Sequence, residues 1–506
     1  MHASLIQSGT VQLGSSARRM TRVRPLVFLP VYVLLHALPI AAQQPDAQSV
    51  ALAMQEVVSM TIARSERSVV AIARVRKDEA DAVATLPLPF GLQRGGNSPT
   101  DPDFIPLEYG AGVVVDGEDG LIVTTLHVLG DLETSEHFVW SQKRPFKADV
   151  VATSPWLDLA VLKVDAEGLL SMPLGDASAL KKGHIVLALG NPYAIARDGS
   201  LSASWGFVSN LNRSAPRIPT RSKDSQGRET LHHFGTLIHT DAKLAFGYSG
   251  GALLNLEGEM VGLTTSLTAS PRHEASAGLA IPVDATFKRV LEALKRGEAP
   301  EFGFLGVGPA TLSTNLRQLG HHGARVDTVI EGTPAAKADV RPDDVITHVN
   351  GRPIYGDSDL FRAVGQAAPG TILSLTVVRG DIAANDKQIE TEVAVSKKFV
   401  NTIRKPVSTK IQPVWRGLRV DYATASESFA RQLPRPPADS LVVTTVVEGS
   451  PAWESGLQPG DFITHTGDLQ VTTPKEFAAA VAEGSGEVTL HLVAADGTTT
   501  PRTVSP

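Results

Sequence analysis

The sequence contains no cysteine among its 506 residues. This absence excludes disulfide bridges, thiolate nucleophiles and cysteine-ligated metal sites. A P-loop motif (GxxxxGK followed by Ser or Thr) is also absent, so no motif binds ATP. The net charge is −6 and no basic stripe follows the N-terminal segment, so we expect no nucleic-acid partner. His232 and His233 are adjacent but lack a third ligand at a workable spacing, so we expect neither a metal nor another cofactor.

The first 42 residues have the pattern of a secretory signal peptide. Four arginines between positions 18 and 24 precede an apolar run at residues 25–40, and Ala41 and Ala42 follow it. The run contains three prolines and is shorter than the roughly 20 residues of a membrane-spanning helix. We predict an exported, periplasmic or otherwise extracytoplasmic protein that is cleaved after Ala42. An uncleaved signal that keeps the chain at the membrane is the alternative.

The segment between Gly110 and Leu267 consists of short apolar runs separated by turn residues. Such spacing, with few helical stretches, is typical of a β-barrel or a β-sandwich. Nearer the N-terminus, the pattern of residues 43–67 predicts a helix and linker. Residues 284–297 predict a helix with an aspartate at its start and a glycine at its end.

The C-terminal part of the chain contains an internal repeat. Residues 326–349 and 443–466 align without a gap, and both contain the letters EG, then P, and finally ITH. Chance does not produce such a register, so the pattern predicts a duplicated domain of about 90 residues. We assign the two copies to residues 301–396 and 413–506, with a linker at residues 397–412.

Three separate segments carry the residue types of a serine hydrolase. His127 lies in the run TTLHV, Asp158 begins the run DLAVLK, and Ser249 lies in the turn GYSGG. The order His, Asp, Ser is that of the chymotrypsin class. A histidine base activates a serine hydroxyl, and a carboxylate orients the histidine. We therefore predict that Ser249 is the nucleophile, His127 the general base and then acid, and Asp158 the residue that orients His127.

The glycines around Ser249 suit an oxyanion hole. A tetrahedral oxyanion needs backbone N–H groups that converge on one point, and a tight turn provides them. We predict that the N–H groups of Gly247 and Ser249 are these donors. Gly250 and Gly251 allow the chain and the substrate to approach closely.

From Gly110 onward the chain resembles the HtrA family of serine proteases. The most specific matches are the runs LALGNPY and SGGALLNLEGEMVGL, and the letters GxPA and PxDxI in both repeats. The resemblance implies a mainly β fold: a chymotrypsin-like double β-barrel at residues 68–300, with the catalytic residues in its cleft, followed by two PDZ domains. It also implies a trimer-based homo-oligomer. Unfolded or C-terminally exposed polypeptides and activating peptides are the expected partners.

The resemblance also implies binding residues. Leu244 is expected to line the S1 pocket. Lys243 stands six residues before Ser249, where a charged residue sets specificity in trypsin-like enzymes; a solvated loop lysine is the alternative. Residues 213–234 match a loop that senses the PDZ domain or its peptide. The carboxylate-binding loop of the first PDZ domain is expected at Phe304, Leu305, Gly306 and Val307, and that of the second, with a weaker match, at residues 416–420.

Some positions depart from the family pattern. Tyr248 replaces an asparagine, Phe246 replaces a small turn residue, and Val340 and Asp343 replace Leu and Gly in the first repeat. The leading hypothesis is an ATP-independent endopeptidase that degrades or processes unfolded or damaged exported proteins. Because Phe246 and Tyr248 are bulky, a catalytically impaired PDZ scaffold or chaperone is one alternative. A narrow-specificity signalling protease is another.

Overall fold

A computed structural model describes most of the chain after residue 45. The described residues are 46–77, 106, 108–141, 143–191, 201–215, 230–265, 278–384, 387–400, 405–410, 414–431, 435–482, 486–494 and 496–506. The predicted signal peptide and most of the predicted sensing loop lie outside them. The described segment begins with helix α1 (Ala47–Ser65), and residues Ala53–Pro506 form one compact unit. Within the described residues, no helix has the length and apolarity needed to cross a membrane.

The first six strands close into an antiparallel barrel, here called the N-terminal barrel, in the order β1-β2-β3-β6-β5-β4. The strands are β1 (Val69–Arg76), β2 (Glu108–Asp116), β3 (Leu121–Thr125), β4 (Ser135–Ser141), β5 (Arg144–Ser154) and β6 (Leu159–Val164). Successive residues of a strand face opposite sides, and both sides are buried here. Ile122 and Leu162 pack in one core, whereas their neighbours Val123 and Val161 pack in a second core shared with the next barrel. Runs such as LAVL are therefore apolar throughout.

The next six strands close into the C-terminal barrel, in the order β10-β11-β12-β9-β8-β7. They are β7 (Ile185–Gly190), β8 (Ser202–Arg213), β9 (Leu237–Thr240), β10 (Ala252–Leu254), β11 (Met260–Thr265) and β12 (Gly278–Pro282). Two closed barrels confirm the predicted mainly β, double-barrel architecture.

Two helices complete the double barrel. The single turn α2 (Leu126–Leu129) follows β3, and α3 (Ala285–Lys295) follows β12. The Asp284 carboxylate caps α3 by accepting the Phe287 N–H at 2.8 Å, as the sequence pattern predicts. Phe287 is fully buried in the core shared by the two barrels, and Lys295 reaches Asp116 of the N-terminal barrel at 3.3 Å. Helix α3 therefore follows the C-terminal barrel in sequence and packs against the N-terminal barrel, which holds the two barrels together.

The first repeat contains a sheet in the order β14-β15-β16-β18-β19, with β17 beside β16, and a separate pair β13-β20. Its strands are β13 (Gly303–Phe304), β14 (Val307–Thr311), β15 (Ala324–Val329), β16 (Val345–Val349), β17 (Arg352–Pro353), β18 (Ile372–Arg379), β19 (Lys387–Ala394) and β20 (Ser396–Lys397). Its helices are α4 (Thr314–Gln318), α5 (Pro334–Lys337) and α6 (Asp357–Gln366).

The second repeat has the equivalent sheet, β21-β22-β23-β25-β26 with β24 beside β23. Its strands are β21 (Leu418–Tyr422), β22 (Leu441–Val446), β23 (Phe462–Thr466), β24 (Leu469–Gln470), β25 (Val488–Val493) and β26 (Thr499–Val504). Its helices are α7 (Glu427–Arg431), α8 (Pro451–Glu454) and α9 (Pro474–Ala482).

The replacement of glycine by Asp343 leaves the turn of the first repeat intact. Asp343 has a φ of +67°, and Gly460, its counterpart in the second repeat, has +100°. The N–H groups of the two residues donate to the carbonyls of Val326 and Val443, each at 2.8 Å. Aspartate adopts this left-handed conformation more readily than most residues, so the loop forms without glycine.

The linker between the repeats packs along the N-terminal barrel. Thr153 and Val407 exchange two hydrogen bonds, of 3.0 Å and 2.8 Å, beside strand β5. Lys410 then donates its backbone N–H to the Gly297 carbonyl at 3.0 Å, directly after α3. The linker therefore contacts both strand β5 and the segment that follows α3.

The first repeat has a buried ion pair that has no counterpart among the described residues of the second repeat. The contributions of the two aspartates to stability can therefore be compared. Asp344 is 1% exposed, and its two oxygens accept hydrogen bonds from Arg379 at 2.8 Å and 2.9 Å. In the second repeat the counterpart of Asp344 is Asp461, and the pairing of β25 with β23 places Ala494 at the position of Arg379. Each of these two carboxylates, Asp344 and Asp461, also accepts the N–H three residues earlier, at 2.8 Å.

We expect Asp344→Asn to lower the free energy of unfolding of the first repeat by about 3 kcal/mol, because it breaks a buried charge pair. Asp461→Asn keeps the capping oxygen and breaks no such pair, so its cost should stay below about 1 kcal/mol. Hydrogen exchange of β16 and β23 in the full chain, measured across a urea series, resolves the two repeats. Equal losses of protection in both repeats would contradict this assignment.

Candidate active site

Asp158 fixes the imidazole of His127. His127 lies in α2, directly after β3, and Asp158 directly precedes β6, the strand that pairs with β3. One carboxylate oxygen accepts the Nδ1–H of His127 at 2.6 Å, and the other accepts its backbone N–H at 3.0 Å. Asp158 is 4% exposed, so this charge-assisted contact is shielded from water. The proton is thereby held on Nδ1, and Nε2 is the nitrogen left to exchange a proton.

The turn before β6 presents the Asp158 carboxylate. Asp158 has a φ of +53°, a left-handed conformation that aspartate tolerates better than most residues. Its carbonyl accepts the N–H of Leu126 at 2.9 Å, next to His127. Backbone and side chain of Asp158 therefore both bind the segment that carries His127.

Ser249 lies where the two barrels meet. Its carbonyl accepts the N–H of Ala111 in strand β2 at 2.8 Å. A Cβ on Gly110 would lie 2.7 Å from the Val128 side chain and 3.0 Å from the Ser249 carbonyl oxygen. Gly110 therefore lies between the Ser249 backbone and the side chain of Val128, the residue that follows His127. Among the described residues, Nε2 of His127 is shielded from solvent and has no hydrogen-bond partner.

The turn around Ser249 requires glycine at two positions. Gly247 has a φ of +96°, and a Cβ there would lie 1.9 Å from the Asn191 carbonyl oxygen. Gly250 has a φ of +82°, and a Cβ there would lie 2.1 Å from the Ala111 carbonyl oxygen. The Gly247 carbonyl accepts the Asn191 N–H at 3.1 Å. Its own N–H has no acceptor within the described part of the chain, which suits a donor reserved for a ligand.

Of the two bulky residues near Ser249, one is buried in the C-terminal barrel and the other is exposed. Tyr248 is 5% exposed and packs in the core of the C-terminal barrel, where its ring lies against Gly190. Burial raises the pKa of its phenol, so the ring stays neutral. Phe246 is 68% exposed. The turn therefore forms although neither position holds the residue type expected from the family.

The two residues expected at the S1 pocket differ in exposure. Leu244 is half-buried, and a Cβ on Gly278 would lie 2.9 Å from its side chain. Lys243 is exposed, and its backbone carbonyl accepts the Ser204 hydroxyl at 2.9 Å. Their roles in specificity remain predictions.

A buried histidine supports the Asp158 turn, a role that no pattern in the sequence indicated. His232 has one ring nitrogen, Nε2, 2.9 Å from the Leu157 carbonyl and the other 2.7 Å from the Thr236 hydroxyl. A carbonyl only accepts, so Nε2 donates to Leu157 and Nδ1 accepts from Thr236. Burial lowers the pKa of His232, which favours this neutral form. In the described residues, no group of three or more His, Cys, Asp or Glu residues could hold a metal ion.

The first repeat packs against the same side of the double barrel. The ring of Phe361 in α6 lies 4.9 Å from that of Phe234, and Arg362 donates to the Gly235 carbonyl at 2.7 Å. A cavity beside this contact is lined by all four residues of the predicted carboxylate loop: Phe304, Leu305, Gly306 and Val307. It is also lined by Trp156, two residues before Asp158.

Three family models match the chain. Residues 110–263 match the model of the trypsin-like peptidase domain. Residues 303–395 and 442–494 each match a model of the PDZ domain.

Curated relatives resemble the chain over most of its length. It is 30% identical over 394 residues to a probable periplasmic serine endoprotease DegP-like of Chlamydia trachomatis, covering 76% of this chain and 72% of that protein. It is 28% identical over 389 residues to the periplasmic pH-dependent serine endoprotease DegQ of Escherichia coli, covering 76% of this chain and 78% of that protein. Among solved structures, the HtrA-type protease AlgW with a tripeptide matches 67% of this chain and 97% of that chain, with 22% identity and a TM-score of 0.48.

We expect Gly247→Ala to lower kcat by about 10²–10³, the cost of losing one oxyanion donor. The added methyl group would meet the Asn191 carbonyl and displace the Gly247 N–H. The matched control is Gly183→Ala, because Gly183 has a φ of +89° but open space around its Cβ position. Turnover of fluorogenic casein by the two variants separates the clash from backbone strain alone. A similar kcat for both variants would argue against the assignment.

Proposed function

Because the chain belongs to the HtrA family of DegP-like serine endoproteases, we propose that Ser249, His127 and Asp158 hydrolyse peptide bonds in unfolded exported proteins. The observation that carries the proposal is the pair of hydrogen bonds from Asp158 to His127, at 2.6 Å and 3.0 Å. They leave Nε2 of His127 without a hydrogen-bond partner in the described part of the chain, and Ser249 lies nearby, where the two barrels meet.

Acylation begins when Nε2 of His127 takes the hydroxyl proton of Ser249. The Ser249 oxygen attacks the carbonyl carbon of the scissile bond, and Asp158 stabilises the imidazolium that forms. Catalytic hydrogen bonds are often long in enzymes without substrate and shorten when it binds. The Ser249 hydroxyl therefore needs only to reach Nε2 in the substrate complex.

The oxyanion of the tetrahedral intermediate accepts hydrogen bonds from the N–H groups of Gly247 and Ser249. His127 then gives its proton to the leaving amine. In deacylation, His127 takes a proton from water as the water oxygen attacks the acyl carbon. The ester bond to Ser249 then breaks, and His127 returns the proton to the Ser249 oxygen. The Gly247 N–H supports this arrangement, because it has no acceptor in the described part of the chain.

The substrates are extended polypeptides. The sequence offers no P-loop for ATP, so the enzyme does not unfold its substrates with nucleotide energy. An extended segment fits between the two barrels, and each PDZ domain adds the C-terminal strand of a substrate or activator peptide to its sheet.

We place the mature protein in the periplasm, assembled from trimers. The signal-like pattern at residues 1–42 and the periplasmic names of the curated relatives support export. Cleavage after Ala42 releases the chain, and an uncleaved signal would retain it at the membrane.

We expect Ser249→Ala to lower kcat on casein, an unfolded protein, by about 10⁶. Ser178→Ala is the control, because Ser178 is an exposed serine that the mechanism does not use. Gel-based digestion across a temperature series measures both variants beside the unmodified enzyme.

Three outcomes would contradict the proposal. Equal digestion by both variants would show that another group is the nucleophile. An unmodified chain that is inactive at every temperature, also with PDZ-binding peptides, would indicate a scaffold or chaperone. Cleavage of a single defined site, with casein untouched, would indicate a signalling protease.

A further inference from the structure

A cavity lies at the contact between the first PDZ domain and the N-terminal barrel. Strand β14 and helix α6 form two of its walls, and Trp156 and Lys398 line it as well. The space between these walls is about 450 Å³, and part of it is open to solvent. Trp156 belongs to the protease domain, so one ligand in this cavity would contact both domains.

The cavity has the form of a peptide groove. Strand β14 lies at the edge of its sheet, paired with β15 on one side. An edge strand offers backbone N–H and carbonyl groups to an added strand. Leu360 and Val364 of α6, both buried, and Phe361 face the same space. An extended peptide with apolar side chains would therefore fit along β14.

The Lys398 ammonium group is the unusual feature of this groove. It lies 4.9 Å from the centre of the Trp156 ring, and the described residues give it no carboxylate partner. The adjacent Lys397, in contrast, pairs with Glu301 at 2.7 Å and with Asp421 at 2.5 Å. Burial lowers the pKa of Lys398, the direction expected when no anion offsets the loss of solvation. An anionic ligand would restore that lost stabilisation.

Two backbone donors line the same cavity. Leu305 and Gly306 stand between β13 and β14, and their N–H groups have no acceptor in the described part of the chain. Gly306 has a φ of +90°, and a Cβ there would lie 2.1 Å from the Thr333 hydroxyl oxygen. This loop therefore keeps its conformation only with glycine, and its N–H groups suit an anion.

We propose that Lys398, beside Trp156, is the cation that binds the terminal carboxylate of a peptide added to strand β14. The proposal rests on the peptide-binding role of the first PDZ domain given above, and it adds a specific residue and charge to that role. A peptide with apolar final residues would place its side chains against the apolar walls. Its free terminal carboxylate would bind the two N–H groups and the ammonium group. A peptide amide has the same shape but lacks the charge.

The experiment uses the full chain with Ser249→Ala, so that bound peptides are not cut. Two pools of fluorescein-labelled decapeptides are prepared, with the last three positions varied among Ala, Val, Leu and Phe. One pool ends in a free carboxylate and the other in an amide. Pulldown with the immobilised chain, followed by mass spectrometry, selects the tightest free-acid peptide. Fluorescence anisotropy then gives its Kd and that of its amide.

We expect Lys398→Met to raise the Kd of the free-acid peptide by about 10- to 100-fold, the range for a hydrogen bond to a charged group. The Kd of the amide should change little. Lys398→Arg should retain free-acid binding, because it keeps a cation at this position. Lys387→Met is the control, because Lys387 is an exposed lysine of the same domain, and it should bind as the parent does.

Equal weakening of acid and amide binding by Lys398→Met would overturn the proposal, because it would show a packing role. An unchanged Kd for the acid would overturn it as well. Lys398→Gln, with a polar side chain of similar reach, repeats the comparison if the methionine variant fails to fold. If neither pool binds the parent chain, the peptide-binding role itself fails, and the proposal fails with it.

Discussion

The hydrogen bonds that Asp158 accepts from His127 are the constraint on which the proposed active site depends. Both carboxylate oxygens bind His127, and the Asp158 carbonyl holds the preceding Leu126. The ladder between β3 and β6 aligns the two segments, since the ends of these strands lie side by side. His232 supports the turn from behind by donating to the Leu157 carbonyl. A small shift of Asp158 would therefore change the orientation of His127, the proposed base, and with it the proton transfer on which acylation would depend.

The second part of the site is held by backbone contacts across the barrel interface. The Ala111 N–H binds the Ser249 carbonyl, and Gly250 lies so close to Ala111 that a side chain would clash. The first PDZ domain packs beside the Asp158 turn, because Phe234 contacts both Phe361 of α6 and Trp156. The proposed proteolytic site and the proposed peptide groove therefore share one structural element. A ligand at Trp156 would lie two residues from Asp158, the proposed catalytic carboxylate.

The sequence was sufficient to predict the features that local patterns encode. The predicted fold and enzyme class are confirmed by the closed barrels and the DegP-like relatives. The direction of side chains in a turn is not encoded in this way, so the bulk of Tyr248 beside Ser249 suggested an obstruction, whereas its ring is buried in the barrel. His232 was considered only as a metal ligand, because its partner Leu157 stands 75 residues away. Lys398 was missed for the same reason, since Trp156 comes from another domain.

The rate at which a fluorophosphonate modifies Ser249 tests the central claim most directly, because the reagent reports the reactivity of the nucleophile without a protein substrate. Mass spectrometry of the peptide that contains Ser249 gives this rate for the unmodified chain and for Asp158→Asn. The account predicts modification at Ser249 in the unmodified chain and a rate lower by up to about 10⁴-fold in the variant, whose imidazole no longer has the correct tautomer. An unmodified Ser249, or equal rates in the two proteins, would contradict it.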